Sequence, residues 1–106
     1  MGSVGSNKAI TSEVSTFSYD IEDYAAQHGY DTAEEMVKDN LTADNEFFTR
    51  DNEMVEYVED MGYEVVTSPN GEYFTVMDDR DDSDSEFLVY YEKSGSSRYI
   101  TKVKKA

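Results

Sequence analysis

The spacing of apolar residues divides the chain into a helical part followed by a strand part. Between residues 19 and 61, apolar side chains recur every three or four positions, which predicts three helices. From residue 63 the period changes to two, and four runs rich in Tyr, Val, Phe and Thr predict strands. These runs are Tyr63–Thr67, Tyr73–Met77, Phe87–Glu92 and Tyr99–Lys104. Helices and strands in separate blocks predict an α+β fold.

The first two helices have recognisable start and stop signals. We expect the first over Tyr19–His28, with Ser18 as its N-cap and Gly29 as its stop. Asp31–Glu34 resembles a capping box in which Asp31 is the cap and the glutamate follows three residues later. It predicts that the second helix begins there and ends near residues 40–42.

The beginning of the third helix is less well defined. Phe47 and Phe48 fit the apolar face that continues to Met61, which would start this helix near residues 42–44. A polar segment follows the two phenylalanines, so a fresh start capped by Asp51 is the alternative. Gly62 ends the helix in either case.

Short connections between the four runs predict that neighbouring strands pair in sequence. Pro69-Asn70-Gly71 is a hairpin signal, an acidic loop joins the second and third strands, and residues 94–97 join the third and fourth. The prediction is a four-stranded antiparallel meander with the helices packed on one face. A sheet face left open would allow a homodimer.

The whole chain fits one domain. Residues 9–106 are predicted to form this single α+β domain, and residues 1–8 read as a flexible leader or an expression remnant. The apolar spacing extends back to Ile10, but the Ser and Thr content there weakens a helix. The chain has no cysteine, no apolar run of membrane-spanning length and no signal-peptide pattern, so we expect a cytoplasmic protein.

The charge of the chain is its clearest functional signal. The net charge is −15, and yet the last fourteen residues contain five bases and no acid. An anionic body of this kind repels nucleic acid and anionic membranes and attracts basic proteins. We therefore expect neither direct nucleic-acid binding nor membrane binding, and the basic end is read as solubilising.

The acidic loop, Asp78–Glu86, is the densest part of this charge. It holds six carboxylates in nine residues against one arginine. Because a buried charge without a partner costs several kcal/mol, we expect the acidic loop to be solvent-exposed.

No pattern in the sequence predicts an enzyme, a metal site or a cofactor site. The only histidine, His28, lies next to a helix-ending glycine and has no second histidine or nucleophile motif to support catalysis. Asp79, Asp81, Ser83 and Ser85 alternate as calcium ligands do, but the glycine and glutamate of an EF-hand loop are missing.

Dense surface carboxylates can imitate the phosphates of nucleic acid. Acids at positions i, i+3 and i+7 of the third helix form a row along one face, in which successive turns are about 5 Å apart. The acidic loop would extend this row of negative charges. One of Tyr90 and Tyr91, which must face opposite sides of the sheet, would add an aromatic anchor. The predicted partner-binding residues are Glu53, Glu56, Glu59, Asp60, Asp78, Asp79, Asp81, Asp82, Asp84 and Glu86.

In size, charge and lack of cysteine, the chain resembles phage-encoded acidic inhibitors. These include DNA-mimic anti-restriction and anti-CRISPR proteins and the uracil-DNA glycosylase inhibitor. The resemblance is one of composition, and it implies a stoichiometric blocker of a basic nucleic-acid-binding protein or nuclease in the cytoplasm of a bacterial or phage-infected cell. The alternative is an interaction or immunity module whose acidic surface is only solvated.

Overall fold

The structure, a computed structural model, describes residues 18–106. It has three helices, α1 (Ile21–Gln27), α2 (Ala33–Thr42) and α3 (Asp51–Asp60), followed by four strands, β1 (Tyr63–Thr67), β2 (Tyr73–Asp78), β3 (Glu86–Ser94) and β4 (Ser97–Lys105). The predicted α+β class is confirmed. The predicted leader and the extension of the first helix towards Ile10 lie outside the described residues.

The four strands form one antiparallel sheet in the order β1-β2-β3-β4. β3 and β4 are longer than predicted and extend to the two-residue turn Gly95-Ser96. The pairing of β3 with β4 shifts in register between Tyr90 and Tyr91, because Thr101 of β4 has no partner in β3, and the alternation of β3 itself continues through Tyr91. No described helix has the length and hydropathy needed to cross a membrane.

One face of the sheet forms the floor of the hydrophobic core. Phe74 and Val76 of β2 lie opposite Val89 and Phe87 of β3, and all four are fully buried. The helices cover this face with the apolar residues Ile21, Ala25, Ala33, Met36, Val37, Leu41, Met54 and Val58. Burial of each large side chain stabilises the fold by about 1.5–3 kcal/mol, so this cluster supplies most of the driving force for folding.

The caps of α1 and α2 lie one or two residues away from the predicted positions. Asp20, rather than Ser18, caps α1 and accepts hydrogen bonds from the N–H groups of Glu22 and Asp23. Thr32, rather than Asp31, caps α2 through a hydrogen bond from the N–H of Glu35.

α3 begins at Asp51, near the later of the two predicted starts, but Asp51 is not its cap. The N-cap position is occupied by Arg50, whose side chain makes no capping hydrogen bond. The phenylalanines before it are not helical, because the N–H and carbonyl of Phe48 bond to the carbonyl and N–H of Arg98 in β4. Phe48 is buried in this extended position, whereas Phe47 points away from the core and is 59% exposed. The expectation that both lie on one helix face is therefore wrong.

Candidate functional site

The acidic loop is not exposed throughout. Asp78 and Asp81 are only 6% exposed, so the expectation of full solvent exposure is wrong for these two residues. No ion pair involves either carboxylate within residues 18–106. Hydrogen bonds must therefore offset the cost of burying both charges.

Asp81 accepts hydrogen bonds from two serines that follow it in the loop and from the first residue of α1. Its Oδ1 accepts from the Ser83 N–H at 3.0 Å, from the Ser83 hydroxyl at 2.7 Å and from the Ile21 N–H at 3.1 Å. Its Oδ2 accepts from the Ser85 N–H at 3.0 Å. The carboxylate thus folds the loop around itself and holds it against the first residue of α1.

Asp78 and the backbone of Tyr19 complete this attachment. Asp78 accepts hydrogen bonds from the Tyr19 hydroxyl and from the Arg80 N–H. The Tyr19 backbone also bonds to the loop, because its N–H donates to the carbonyl of Arg80 and its carbonyl accepts from the N–H of Asp82. Burial, reinforced by the bond to Asp78, raises the pKa of Tyr19 well above its ordinary value, so the hydroxyl keeps its proton.

The pKa of Asp81 predicts a loss of stability in acid. Burial alone would raise this pKa, but the hydrogen bonds from Ser83, Ser85 and Ile21 outweigh burial and hold the pKa below its ordinary value. The unfolded chain therefore binds more protons near and below about pH 4, and the contribution of Asp81 is lost as the pH falls through that range.

This acid sensitivity can be isolated with a single variant. The difference in free energy of unfolding between the wild type and Asp81→Asn should be constant above about pH 4 and should shrink at lower pH. Urea denaturation at a series of pH values measures it. A difference that stays the same down to about pH 2 would show that the Asp81 carboxylate has an ordinary pKa.

The other eight predicted residues are exposed to solvent. They are Glu53, Glu56, Glu59 and Asp60 on α3 and Asp79, Asp82, Asp84 and Glu86 on the acidic loop. Neither of the two ion pairs found in residues 18–106, Arg98–Asp51 and Lys105–Glu22, includes any of them. Their negative charge is therefore available to a partner.

A backbone hydrogen bond brings the two exposed groups of acids together. The N–H of Asp79 donates to the carbonyl of Gly62, the residue that turns the chain from α3 into β1, at 3.0 Å. Gly62 adopts a φ of 99°, which residues with a side chain rarely adopt. The acids at the end of α3, Glu59 and Asp60, thus lie beside the start of the acidic loop.

Glu53 lies at the opposite end of α3 and has local partners. Its side chain accepts hydrogen bonds from the N–H and the hydroxyl of Thr49, at 3.2 and 3.0 Å. Glu53 therefore supports the start of α3, and it lies two helical turns from the acids that adjoin the loop. We call the seven remaining exposed acids the acidic surface: Glu56, Glu59, Asp60, Asp79, Asp82, Asp84 and Glu86.

The alternating residues of the acidic loop form a turn rather than a cluster of metal ligands. The hydroxyl of Ser83 bonds to Asp81 and lies 3.0 Å from the hydroxyl of Ser85. In the described part of the chain, no three His, Cys, Asp or Glu side chains are grouped closely enough to hold a metal ion.

The two tyrosines considered as anchors face opposite sides of the sheet, as predicted. Tyr91 is buried, and its hydroxyl oxygen accepts a hydrogen bond from the Gly71 N–H at 2.7 Å, so Tyr91 is not available as an anchor. Tyr90 is half-buried, and Lys102 and Lys104 lie over its ring at 4.8 and 5.8 Å. These lysines cover the ring, so Tyr90 is a poor anchor for a basic partner.

A pocket that the sequence pattern did not predict adjoins Phe47. The pocket has a volume of about 300 Å³, and one exposed aromatic ring, Phe47, forms part of its wall. Its lining residues are Leu41, Thr42, Asn45, Glu46, Phe47, Tyr99 and Ile100. No local sequence signal indicates this pocket, because its walls come from α2, from the segment between α2 and α3 and from β4.

The fold and the site together define a small α+β domain with an unpaired acidic surface. Comparisons with known proteins found no family model that matches the chain, no similar curated protein and no similar solved structure.

Proposed function

We propose that the protein is an inhibitor that occupies the basic nucleic-acid-binding surface of another protein by mimicking the charge of DNA or RNA. It acts by binding and makes or breaks no covalent bond. Its partner is a basic nucleic-acid-binding protein or nuclease, as for the phage anti-defence inhibitors that the chain resembles in composition. The protein would bind such a partner in the cytoplasm of the host cell.

The observation that carries this proposal is the acidic surface. Its carboxylates come from two separate elements, α3 and the acidic loop, and are joined where Asp79 bonds to Gly62. No lysine or arginine within residues 18–106 forms an ion pair with these carboxylates. Keeping unpaired like charges together destabilises a fold through repulsion, so a binding role accounts for them better than solubility does.

The rigidity of the acidic loop also supports the proposal. A loop held by Asp78 and Asp81 presents its exposed carboxylates in fixed positions. Binding then costs little conformational entropy, because the carboxylates are already arranged as they would be in the complex.

Affinity capture from a bacterial lysate tests the proposal. The tagged full-length protein should retain a basic nucleic-acid-binding protein at low salt and release it when either salt or duplex DNA is added. Retention of no protein, or release by salt but not by DNA, would contradict charge mimicry.

The second candidate function is a module that recognises its partner through an apolar contact. The exposed ring of Phe47 favours it, because exposed aromatic residues often dominate binding energy. Salt distinguishes the two candidates: affinity that barely changes between low and high salt would favour this one.

A further inference from the structure

Phe47 is held in an exposed position by the backbone around it. The N–H of Phe48 donates to the carbonyl of Arg98 at 2.9 Å, and the Arg98 N–H donates back at 2.8 Å. The Arg98 guanidinium bonds to Asp51 and to the carbonyl of Thr49, on the other side of the same loop. A ring presented this rigidly loses little freedom when it meets a partner.

The pocket beside Phe47 combines an aromatic wall with an apolar floor. The rings of Phe47 and Tyr99 lie 5.0 Å apart at 45°. Leu41 and Ile100, both buried, line the pocket between α2 and β4. Such a pocket can take the methylene groups of a long side chain.

The rim of the pocket is acidic. Glu46 lines it, and Asp44 is exposed two residues earlier. The hydroxyl of Tyr57 is buried without a hydrogen-bond partner, and its pKa is raised by burial and then by these two carboxylates. The rim therefore favours a cation over an anion or a neutral group.

We propose that this pocket binds an arginine side chain of the basic partner. The inference rests on the proposed function and names the residue type that the partner contributes. The arginine methylene groups would lie against Phe47 and Tyr99, and the guanidinium would meet the carboxylate of Glu46. A planar guanidinium stacks on aromatic rings and binds carboxylates with two N–H groups, whereas a lysine ammonium is more strongly hydrated.

Peptide titration of the full-length protein tests this inference. The probes are two short peptides, one of alternating arginine and glycine and one of alternating lysine and glycine. NMR amide shifts of the labelled protein report the site and the affinity. The arginine peptide should shift the amides of the pocket residues and should bind more tightly than the lysine peptide.

Two substitutions and two matched controls locate the contact. Phe47→Ser should weaken binding of the arginine peptide about tenfold, because it removes the aromatic anchor. Val66→Ser changes the other large exposed hydrophobic residue of the described chain and should have no effect. Glu46→Gln should weaken binding several-fold, whereas Glu72→Gln, which removes the same charge from an exposed turn, should not.

The outcomes separate this inference from the proposed function. Equal binding by the wild type and Phe47→Ser would overturn the arginine pocket and leave charge mimicry standing. Failure of the wild type to bind either peptide at low salt would overturn both. The amide shift of Phe48 shows whether the loop keeps its bonds to β4 in each variant.

Discussion

Replacing Asp79, Asp82 and Glu86 together with lysine is expected to weaken binding to the basic partner by about two orders of magnitude. Each substitution exchanges an attraction for a repulsion, and close charge pairs across an interface couple by about 1.5 kcal/mol or more. Counting two close pairs among the three acids, the loss is about 3 kcal/mol, which corresponds to a factor above one hundred. The affinity for the captured partner, measured at low salt, checks this.

The triple variant should fold as well as the wild type. All three residues are exposed and unpaired, and reducing the net negative charge lessens self-repulsion. Asp84 is left unchanged because its φ of 56° suits aspartate better than lysine. Asp81 is left unchanged because it is buried.

A control with the same change in net charge makes the result specific. Asp31 precedes α2, Glu35 lies in the first turn of α2 and Glu72 lies in the β1–β2 turn; all three acids are exposed and lie outside the acidic surface. Their replacement by lysine should weaken binding far less. If the two triple variants lose the same affinity, the partner responds to total charge and not to the acidic surface.

Asp81→Asn is expected to lower the free energy of unfolding by about 3 kcal/mol at neutral pH. One oxygen of Asp81 faces the N–H groups of Ile21 and Ser83, and the other faces that of Ser85. The side-chain amide of asparagine has one oxygen and one NH₂ group, so in either orientation its NH₂ faces at least one of these N–H groups. That backbone N–H is then buried without an acceptor, which costs about 1–3 kcal/mol. The lost charge weakens the remaining bonds as well.

Urea denaturation followed by circular dichroism measures this loss. Asp82→Asn, an exposed neighbour in the same loop, serves as the control and should stay within about 0.5 kcal/mol of the wild type. Equal stability of Asp81→Asn and the wild type would show that the loop does not depend on this carboxylate.

Most of the fold could be predicted because apolar periodicity reports burial directly. The two-residue period predicted β1 with the same first and last residues that the structure shows, and Gly29 and Gly62 follow the ends of helices as expected. The start of α3 could not be decided from local sequence, because it depends on the bonds between Phe48 and Arg98. Those residues lie fifty positions apart.

Prediction of the candidate site from local sequence has a similar limit in the acidic loop. A count of its charges predicted exposure, and this holds for Asp79, Asp82, Asp84 and Glu86. The burial of Asp81 depends partly on the Ile21 N–H, sixty residues away. Its serine partners lie close in sequence, and a carboxylate followed by serines two and four residues later was a local turn signal that could have been read.

Competition for a nucleic-acid site tests the central claim most directly. Once the captured partner is purified, a fluorescent duplex bound to it reports occupancy of its nucleic-acid site by anisotropy. The wild-type protein should displace the duplex stoichiometrically at low salt, and the acidic-surface triple variant should not. A ternary complex, in which the protein binds and the duplex stays in place, would contradict charge mimicry.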